Sequence, residues 1–258
     1  MGAIVQVNRV SFQYLSRAQK PGDDILRDFS MAVDFNEIVA MVGPSACGKS
    51  TVGRLVAGLL KPTSGEILFN GLPITGPCRE RGLIAQGDWC LPWMTARENI
   101  LLGLREPERT GPIDRLVDLA GLRTSLDLYP AELSFGARQR VCLVRALVAG
   151  ASLLVLDEPL SSIDAVLRIA LQQSIRQTLK AANVSGLWIT HDLDEALLVA
   201  DRIIIVGDRP LLILDQERVQ RGIGTAADAI SDPGFQQQRI SLQRKVMNLW
   251  PKEGNLRA

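Results

Sequence analysis

Short apolar runs alternate with longer amphipathic stretches along most of this 258-residue chain. Runs of four or five residues rich in β-branched side chains predict buried strands, and apolar residues three or four positions apart predict helices. Because strands and helices alternate, the pattern indicates an α/β protein with a largely parallel sheet. The predicted strands are residues 38–42, 66–69, 153–156, 187–190 and 203–206, followed by a hairpin over 207–215. The predicted helices of this part are residues 52–60, 167–179 and 193–200.

A helix-rich stretch interrupts that alternation between residues 87 and 150. Its three predicted helices cover residues 96–104, 113–122 and 137–149. We therefore expect residues 1–86 and 151–215 to form one α/β core, and residues 87–150 to form an inserted α-helical subdomain. Residues 216–258 are polar and rich in glutamine, and we expect a partly helical tail there. The apolar stripe of this tail comprises Phe235, Leu242, Val246 and Leu249.

The charge and the cysteine content exclude some classes of protein and of site, but they indicate no particular function. The 29 Lys and Arg balance 28 Asp and Glu, so the chain lacks the basic excess of a nucleic-acid-binding protein. The four cysteines lie far apart without a C-x-x-C pair and there is one histidine. We therefore expect reduced thiols in a cytosolic protein, and no zinc site. The apolar runs fall far short of the ~20 residues that a membrane span needs, which predicts a soluble chain.

A glycine-rich segment carries the first candidate chemistry. Its sequence, G-P-S-A-C-G-K-S-T, fits the phosphate-loop pattern G-x-x-x-x-G-K-[ST] at every position, between a predicted strand and a predicted helix. The glycines let successive N–H groups point at phosphate oxygens, and the helix adds its positive end. Lys49 would reach the β- and γ-phosphates, and the Ser50 hydroxyl would bind Mg²⁺. The candidate phosphate-binding residues are Gly43, Pro44, Ser45, Ala46, Cys47, Gly48, Lys49, Ser50 and Thr51.

Three polar residues follow the ends of apolar strands. Asp157 and Glu158 come directly after the strand 153–156, at the strand end where open α/β sheets bind ligands. Asp157 is the candidate Mg²⁺ ligand, directly or through water, and Glu158 the candidate to orient or deprotonate the attacking water in phosphoryl transfer. His191 follows the strand 187–190. A lone histidine is usually structural, but at this edge of the sheet we predict a contact with the γ-phosphate.

Further segments stand in the order found in the nucleotide-binding subunits of ABC transporters, which the chain resembles over nearly its whole length. Gln86 is at the Q-loop position, L-S-F-G-A at residues 133–137 is at the LSGGQ signature position, and S-S-I-D at 161–164 is at the D-loop position. Tyr14 is placed like the aromatic residue that stacks on adenine, and Phe12 is the alternative candidate for this role.

The resemblance implies a RecA-like P-loop NTPase core with a mostly parallel sheet and added N-terminal antiparallel strands. It implies a dimer, preferably of two copies of this chain, that encloses two ATP molecules with Mg²⁺. Gln86 would assist Glu158 and His191 in hydrolysis, and would join Ser50 and Asp157 at the metal. The residues that would complete the nucleotide site are Ser134, Gly136 and Asp164, the first two acting from the partner subunit.

Short motifs narrow the resemblance to importers of the nitrate, sulfonate and taurine type. These motifs are G-P-C-R-E-R-G at residues 76–82, L-P-W-M-T at 91–95, Tyr129-Pro130 and Ser231-Asp232-Pro233. The resemblance implies integral-membrane permease partners, an indirect solute-binding protein outside the membrane, and a peripheral position on the cytoplasmic face of the inner membrane. Trp89 and Trp93 would be either anchors for the permease or ordinary core residues. Nitrate, a sulfonate, taurine, bicarbonate and a pyrimidine precursor all stay open as solutes.

The signature departs from the family pattern, because Phe135 replaces its first glycine and Ala137 its glutamine. We expect the bulk of Phe135 to weaken dimer closure without abolishing it. The alternative is a regulatory ABC subunit that binds ATP with weak turnover. A non-transport ABC ATPase is disfavoured, because such proteins generally carry a long coiled-coil or zinc insertion, or two cassettes in one chain, and this sequence has one cassette without a heptad run or a metal-binding cluster. A small P-loop kinase is disfavoured because it would leave the downstream motifs unexplained.

Cys47 lies beside Lys49 at the start of a predicted helix. Such a position predicts a lowered thiol pKa, and inactivation by alkylating agents from which ATP protects. The alternative for Cys47 is a small buried residue that packs under the phosphate loop.

Overall fold

The computed structural model describes residues 2–15, 21–85, 90–104, 111–160, 165–220 and 232–250. Several of the predicted functional positions lie outside the described residues, as does one residue of the tail motif. They are Gln86, Trp89, the D-loop residues 161–164 including Asp164, and Ser231.

An antiparallel sheet forms the first layer of the described structure. Its strands are β1 (Ala3–Leu15), β2 (Pro21–Asp34), β4 (Ser64–Phe69) and β5 (Leu72–Pro73), in the order β2-β1-β4-β5. Val5 and Val7 of β1 are buried, and a register shift after Val7 lets Val10 and Phe12 be buried as well. Arg9 has a φ of 46° within this shift, so a β-bulge keeps the apolar face of β1 directed inward.

A second, mostly parallel sheet forms the centre. Its strands are β3 (Ile38–Val42), β6 (Arg81–Ile84), β7 (Leu153–Asp157), β8 (Ser185–Thr190), β9 (Arg202–Gly207) and β10 (Leu212–Arg218). Among the described strands the order is β10-β9-β3-β8-β7-β6, and only the β9–β10 pair is antiparallel. The central strands are buried on both faces, which is why they appear in the sequence as continuous apolar runs.

Helices complete the core on both sides of the central sheet. They are α1 (Lys49–Val56), α5 (Ala165–Ala181), α6 (Leu193–Val199) and α7 (Pro233–Leu249). Alternate strand residues face opposite layers: Val155 packs with α1 and the antiparallel sheet, whereas Leu154 packs with α5, α6 and α7. Phe235 and Leu242 bury the tail helix α7 against this second layer, so the predicted apolar stripe of the tail docks on the core.

The remaining helices share a core of their own. They are α2 (Ala96–Leu101), α3 (Gly111–Leu119) and α4 (Phe135–Val148), with 3₁₀ turns at Arg123–Ser125 and Pro130–Glu132. Ile100, Val117 and Val141 bury these helices against one another. The stretch is inserted between β6 and β7, which are hydrogen-bonded neighbours. Among the described helices, none is long and apolar enough to cross a membrane.

One ion pair joins the two sheets. Glu37 is 7% exposed, and its carboxylate accepts hydrogen bonds from Arg202 Nε at 2.8 Å and Nη2 at 2.9 Å. The Glu37 carboxylate also accepts from the backbone N–H of Asp34 at 3.0 Å, and Arg202 Nη2 donates to the carbonyl of Ala32 at 2.8 Å. Because Ala32 and Asp34 belong to β2 and Arg202 to β9, the pair clamps the antiparallel sheet onto the central one.

Candidate nucleotide site

The phosphate loop connects β3 to α1. Gly48, the residue before α1, has a φ of 121°, and a Cβ at this position would lie 2.9 Å from Ile25 Cγ2. Only glycine fits both constraints. Ala46 also has a positive φ, 64°, so the chain curls tightly before the helix begins. Burial of Val52 and Leu55 fixes α1 on the sheet, and the loop is thereby held at the carboxyl end of β3.

Lys49 folds back over this loop. Its side chain is 4% exposed, and Nζ donates hydrogen bonds to the carbonyl of Gly43 at 2.8 Å and that of Pro44 at 2.6 Å. The ammonium is thus buried against the backbone of the loop. A phosphate bound by the loop would meet this positive charge together with the N-terminal end of α1.

Ser50 and Asp157 come together from distant parts of the sequence. The Ser50 hydroxyl donates to Asp157 Oδ1 at 2.9 Å. Burial raises the pKa of Asp157, and the adjacent Glu158 carboxylate adds to this, while the hydrogen bond from Ser50 opposes it. A hydroxyl and a carboxylate are hard oxygen donors of the kind that Mg²⁺ prefers, and a cation there would offset the cost of the buried charge. The residues therefore fit Mg²⁺.

Glu158 and His191 form the second pair. Nδ1 of His191 lies 3.2 Å from Oε1 of Glu158, and the two side chains are 55% and 26% exposed. Glu158 has a φ of 47°, which is uncommon for a residue with a side chain, and its N–H donates to the carbonyl of Ile189 at 2.9 Å. Backbone strain of this kind clusters at functional sites, and here it falls on the candidate catalytic carboxylate.

The turn that carries His191 is held from both sides. Thr190 Oγ1 accepts from the N–H of Asp192 at 3.0 Å and donates to the buried carboxylate of Glu195. Asp192 Oδ1 in turn accepts from the N–H groups of Asp194 at 2.8 Å and Glu195 at 3.2 Å, so it caps α6. His191 therefore stands between two residues whose positions are determined by hydrogen bonds.

Tyr14 lies close to the start of α1. Its hydroxyl is 3.2 Å from Thr51 Oγ1, and its ring makes an edge contact with Phe12 at a centroid distance of 4.8 Å. Tyr14 is 40% exposed, whereas Phe12 is 6% exposed. Of these two aromatic residues, Tyr14 has the exposed ring near the phosphate loop, and Phe12 belongs to the core.

The signature residues lie at the start of α4, and the contacts described for them are within their own chain. Ser134 is the N-cap, and its Oγ accepts from the N–H of Ala137 at 3.2 Å. Gly136 is buried, and a Cβ there would lie 2.8 Å from Leu171 of α5. Phe135 is half-buried against the core, with the guanidinium of Arg138 5.8 Å from its ring centroid. Part of the bulk of Phe135 is therefore packed inside the chain.

The prediction for Cys47 is wrong in its direction. The residue is 5% exposed, and burial raises the pKa of its thiol, although Lys49 acts in the opposite direction. Loss of solvation outweighs the neighbouring charge because the thiolate would be withdrawn from water. The alternative, a small buried residue packed under the loop, describes Cys47 correctly.

Sequence reasoning missed Asn99, which shapes the segment that carries Trp93. Asn99 is fully buried; its side chain accepts from the N–H of Leu91 at 2.8 Å and donates to the carbonyls of Leu91, Met94 and Thr95 at 3.0–3.1 Å. The sequence signal available for this region was T-x-x-E at Thr95 and Glu98, which predicts a helix start. These two residues form a capping box at the start of α2, the helix that contains Asn99. Trp93 itself is 68% exposed.

The fold, the phosphate loop and the acidic strand end define a P-loop NTPase. A sequence profile described as ABC transporter matches residues 26–161, more than half of the chain. The chain belongs to the ABC transporter family, so the resemblance is confirmed, and as a member it is an ATP-binding ATPase.

Two named proteins and one solved structure are similar to this chain. The nitrate import ATP-binding protein NrtC of Synechococcus elongatus is 38% identical over 198 residues, which cover 74% of this chain and 30% of that protein. The taurine import ATP-binding protein TauB of Burkholderia thailandensis is 36% identical over 254 residues, which cover 93% and 95%. The dimeric structure of MJ0796, a bacterial ABC transporter cassette, matches with a TM-score of 0.70 at 23% identity, over 84% of this chain and 100% of that one. This last likeness confirms the predicted fold class.

Proposed function

We propose that the ATPase of this chain energises a membrane importer for a small anion or an organosulfonate-like solute. The observation that carries its ATPase part is the pairing of Ser50, at the start of α1, with Asp157 and of Glu158 with His191 at the adjoining ends of β7 and β8. Similarity to the NrtC and TauB proteins supports the choice of solute class.

Each of these residues has a distinct part in hydrolysis. Lys49 and the loop N–H groups bind the phosphates, and Ser50 and Asp157 would hold Mg²⁺, which when bound neutralises charge on the phosphate oxygens. Glu158 orients the attacking water and accepts its proton. His191 holds the Glu158 carboxylate in place and reaches toward the γ-phosphate. Gln86 would complete this set, and it lies outside the described residues.

Closure of a dimer would complete the nucleotide site. Ser134 and the N–H of Gly136, at the positive end of α4, would contact the γ-phosphate bound by a second subunit, with Asp164 nearby. The half-buried position of Phe135 supports a signature that still closes. We favour two copies of this chain, and full turnover over the weakly active regulatory alternative.

The exposed apolar side chains of the inserted helices would dock the permease at the cytoplasmic face of the membrane. Their exposures are 68% for Trp93, 37% for Leu101, 46% for Leu102 and 47% for Tyr129. Aromatic residues are frequent anchors of interfaces, and Asn99 gives the Trp93 segment a defined shape. The separate apolar core of these helices supports residues 87–150 as one subdomain beside the α/β core of 1–86 and 151–215, with 216–258 as tail.

A Glu158→Gln variant tests hydrolysis and dimer closure together. Because it keeps the shape of the side chain but removes the base, we expect ATP turnover to fall by about 10²–10⁴-fold. The variant should also shift from monomer to dimer in solution when Mg-ATP is added. Glu66→Gln, at an exposed position of β4, is the matched control. Undiminished turnover in Glu158→Gln would contradict the assigned role, and ATP binding without dimerisation would indicate a different partner subunit.

Uptake measurements test the solute class. Cells that lack this chain should lose uptake of one labelled solute among nitrate, taurine, other sulfonates and bicarbonate. The wild-type chain should restore that uptake and Glu158→Gln should not. Unchanged uptake of every solute in this set would refute the importer assignment while leaving the ATPase in place.

A further inference from the structure

Two of the four cysteines touch each other in the inserted subdomain. The Sγ atoms of Cys90 and Cys142 are 3.7 Å apart, and both residues are buried. Cys90 Sγ also lies 3.5 Å from the carbonyl of Arg138, so its thiol is seated on helix α4, where Cys142 resides. A disulfide needs about 2.05 Å between the sulfurs, so the pair must approach by roughly 1.7 Å.

A cavity gives a small oxidant access to Cys142. Its volume is about 330 Å³, and it lies between the edge strand β6 and the helices α2 and α4. Cys142 and Arg145 both line it, and Nη2 of Arg145 is 3.7 Å from Cys142 Sγ. A guanidinium at this position stabilises the negative charge that a sulfur carries when it attacks an electrophile. Cys142 is therefore the attacking sulfur, and Cys90, which is not among the described residues that line the cavity, is the resolving one.

We propose that Cys90 and Cys142 form an oxidisable pair that a hydroperoxide converts into a reversible disulfide. The Cys142 thiolate attacks one peroxide oxygen, the O–O bond breaks, and the leaving oxygen takes a proton to become water or an alcohol. The resulting sulfenic acid at Cys142 is attacked by Cys90, which forms the S–S bond and releases water. Two thiols are oxidised and one peroxide is reduced, and an external dithiol reverses the change by exchange.

The disulfide has a mechanical consequence that rests on the proposed function. Cys90 is four positions after Gln86 in the chain, and Cys142 lies on the helix that begins at the signature residue Ser134. The bond would join the segment behind the predicted Q-loop covalently to α4. Because both cysteines belong to the apolar core of the insertion, the bond would restrict the chain between Gln86 and that core, so the oxidised protein should hydrolyse ATP more slowly.

Hydrogen peroxide treatment of the purified chain tests the proposal. We expect two of the four thiols to be lost, a Cys90–Cys142 linked peptide in a non-reducing digest, and recovery of both thiols with dithiothreitol. Cys78→Ala should behave like the wild type, because Cys78 lines the same cavity and controls for the alternative bridge. A linked peptide that contains Cys78, over-oxidation of Cys142 without a link, or four intact thiols would each overturn the proposal. These readouts use the wild-type protein and Cys78→Ala, so they require no substitution at Cys90 or Cys142.

Measurement of ATP turnover distinguishes the formation of the disulfide from its mechanical consequence. Oxidised wild type should lose most of its ATPase activity and regain it with dithiothreitol, whereas Cys90→Ala should be insensitive to the same exposure. A disulfide that forms without changing turnover would refute the mechanical consequence and keep the modification site. Failure of the ATPase itself would appear in the reduced protein, independently of any oxidant.

Discussion

The clamp between Glu37 and Arg202 gives a prediction whose size follows from its contacts. In Glu37→Gln, one carboxylate oxygen becomes an NH₂ group, which cannot accept. Arg202 then loses one of its two charge-assisted bonds, and where the replaced oxygen is Oε2 the N–H of Asp34 loses its acceptor as well. The Arg202 side chain is 17% exposed, so water compensates only in part. Charge-assisted bonds contribute roughly 1.5–3 kcal/mol each, so we expect a loss of about 2–4 kcal/mol in the free energy of unfolding.

The pH dependence of this effect has a definite sign. Burial by itself would raise the pKa of Glu37, but the hydrogen bonds from Arg202 and from the Asp34 N–H outweigh it, and the folded-state pKa is lowered. A carboxyl with a lowered folded-state pKa stabilises the protein above its unfolded value of about 4.3. That contribution disappears as pH falls through the folded-state pKa. The difference in the free energy of unfolding between wild type and Glu37→Gln should therefore have its full value at pH 7 and disappear in acid.

Thermal unfolding at pH 7 provides the assay. The midpoint of Glu37→Gln should fall by about 4–16 °C, since 1 kcal/mol moves the midpoint of a domain this large by roughly 2–4 °C. Asp127→Asn is the matched control, because it breaks an exposed pair with Arg97 whose side chains are 85% and 51% exposed. Exposed pairs contribute little, so that midpoint should hardly move. Equal midpoints for the two variants would refute the argument from burial.

Three other predictions concern the site and its surroundings. Asp157→Asn should keep its contact with Ser50 but lower Mg²⁺-dependent ATP turnover by about 10²-fold or more, and normal turnover at low Mg²⁺ would contradict the metal role. Asn99→Leu should lower stability to urea by about 2–4 kcal/mol, since several buried hydrogen bonds vanish, and an unchanged unfolding midpoint would contradict this. Because burial raises the pKa of Cys47, its alkylation by iodoacetamide should be slow at pH 7 and still accelerate above pH 9, and a rate plateau below pH 8 would count against it.

The central strands and most helices follow from the sequence because burial on two faces and helical spacing leave clear patterns. Strand β6 (R-G-L-I) shows no such pattern, because a buried arginine and a glycine interrupt its apolar character. It is a strand because the tertiary structure pairs it with β7. Cys47 shows another limit. Its neighbours in sequence predict activation, but burial depends on residues far away, such as Ile25 and Leu211, that pack around the loop.

Site residues within a motif could be named from spacing alone, whereas their pairing could not. Ser50 and Asp157 are 107 positions apart, and their hydrogen bond exists because α1 begins at the edge of the sheet where β7 ends. Asn99 and the Glu37–Arg202 clamp escaped prediction for a related reason. A buried polar residue is recognised by its partners, and those partners are set by tertiary packing.

The position of the insertion in the sheet limits how it can move. Strands β6 and β7 run parallel, with Ile84 opposite Leu156 and Arg81 opposite Leu153. The chain leaves β6 at the edge that carries Asp157 and enters β7 at the opposite edge, roughly 10 Å away for strands of this length. The inserted helices are therefore attached at opposite edges of the sheet, and α4 also packs on the core, because Leu143 and Leu147 lie among residues of α5 and the central sheet. A push at the nucleotide edge would therefore move the start of α4 together with its contact on α5, where a Cβ at Gly136 would lie 2.8 Å from Leu171.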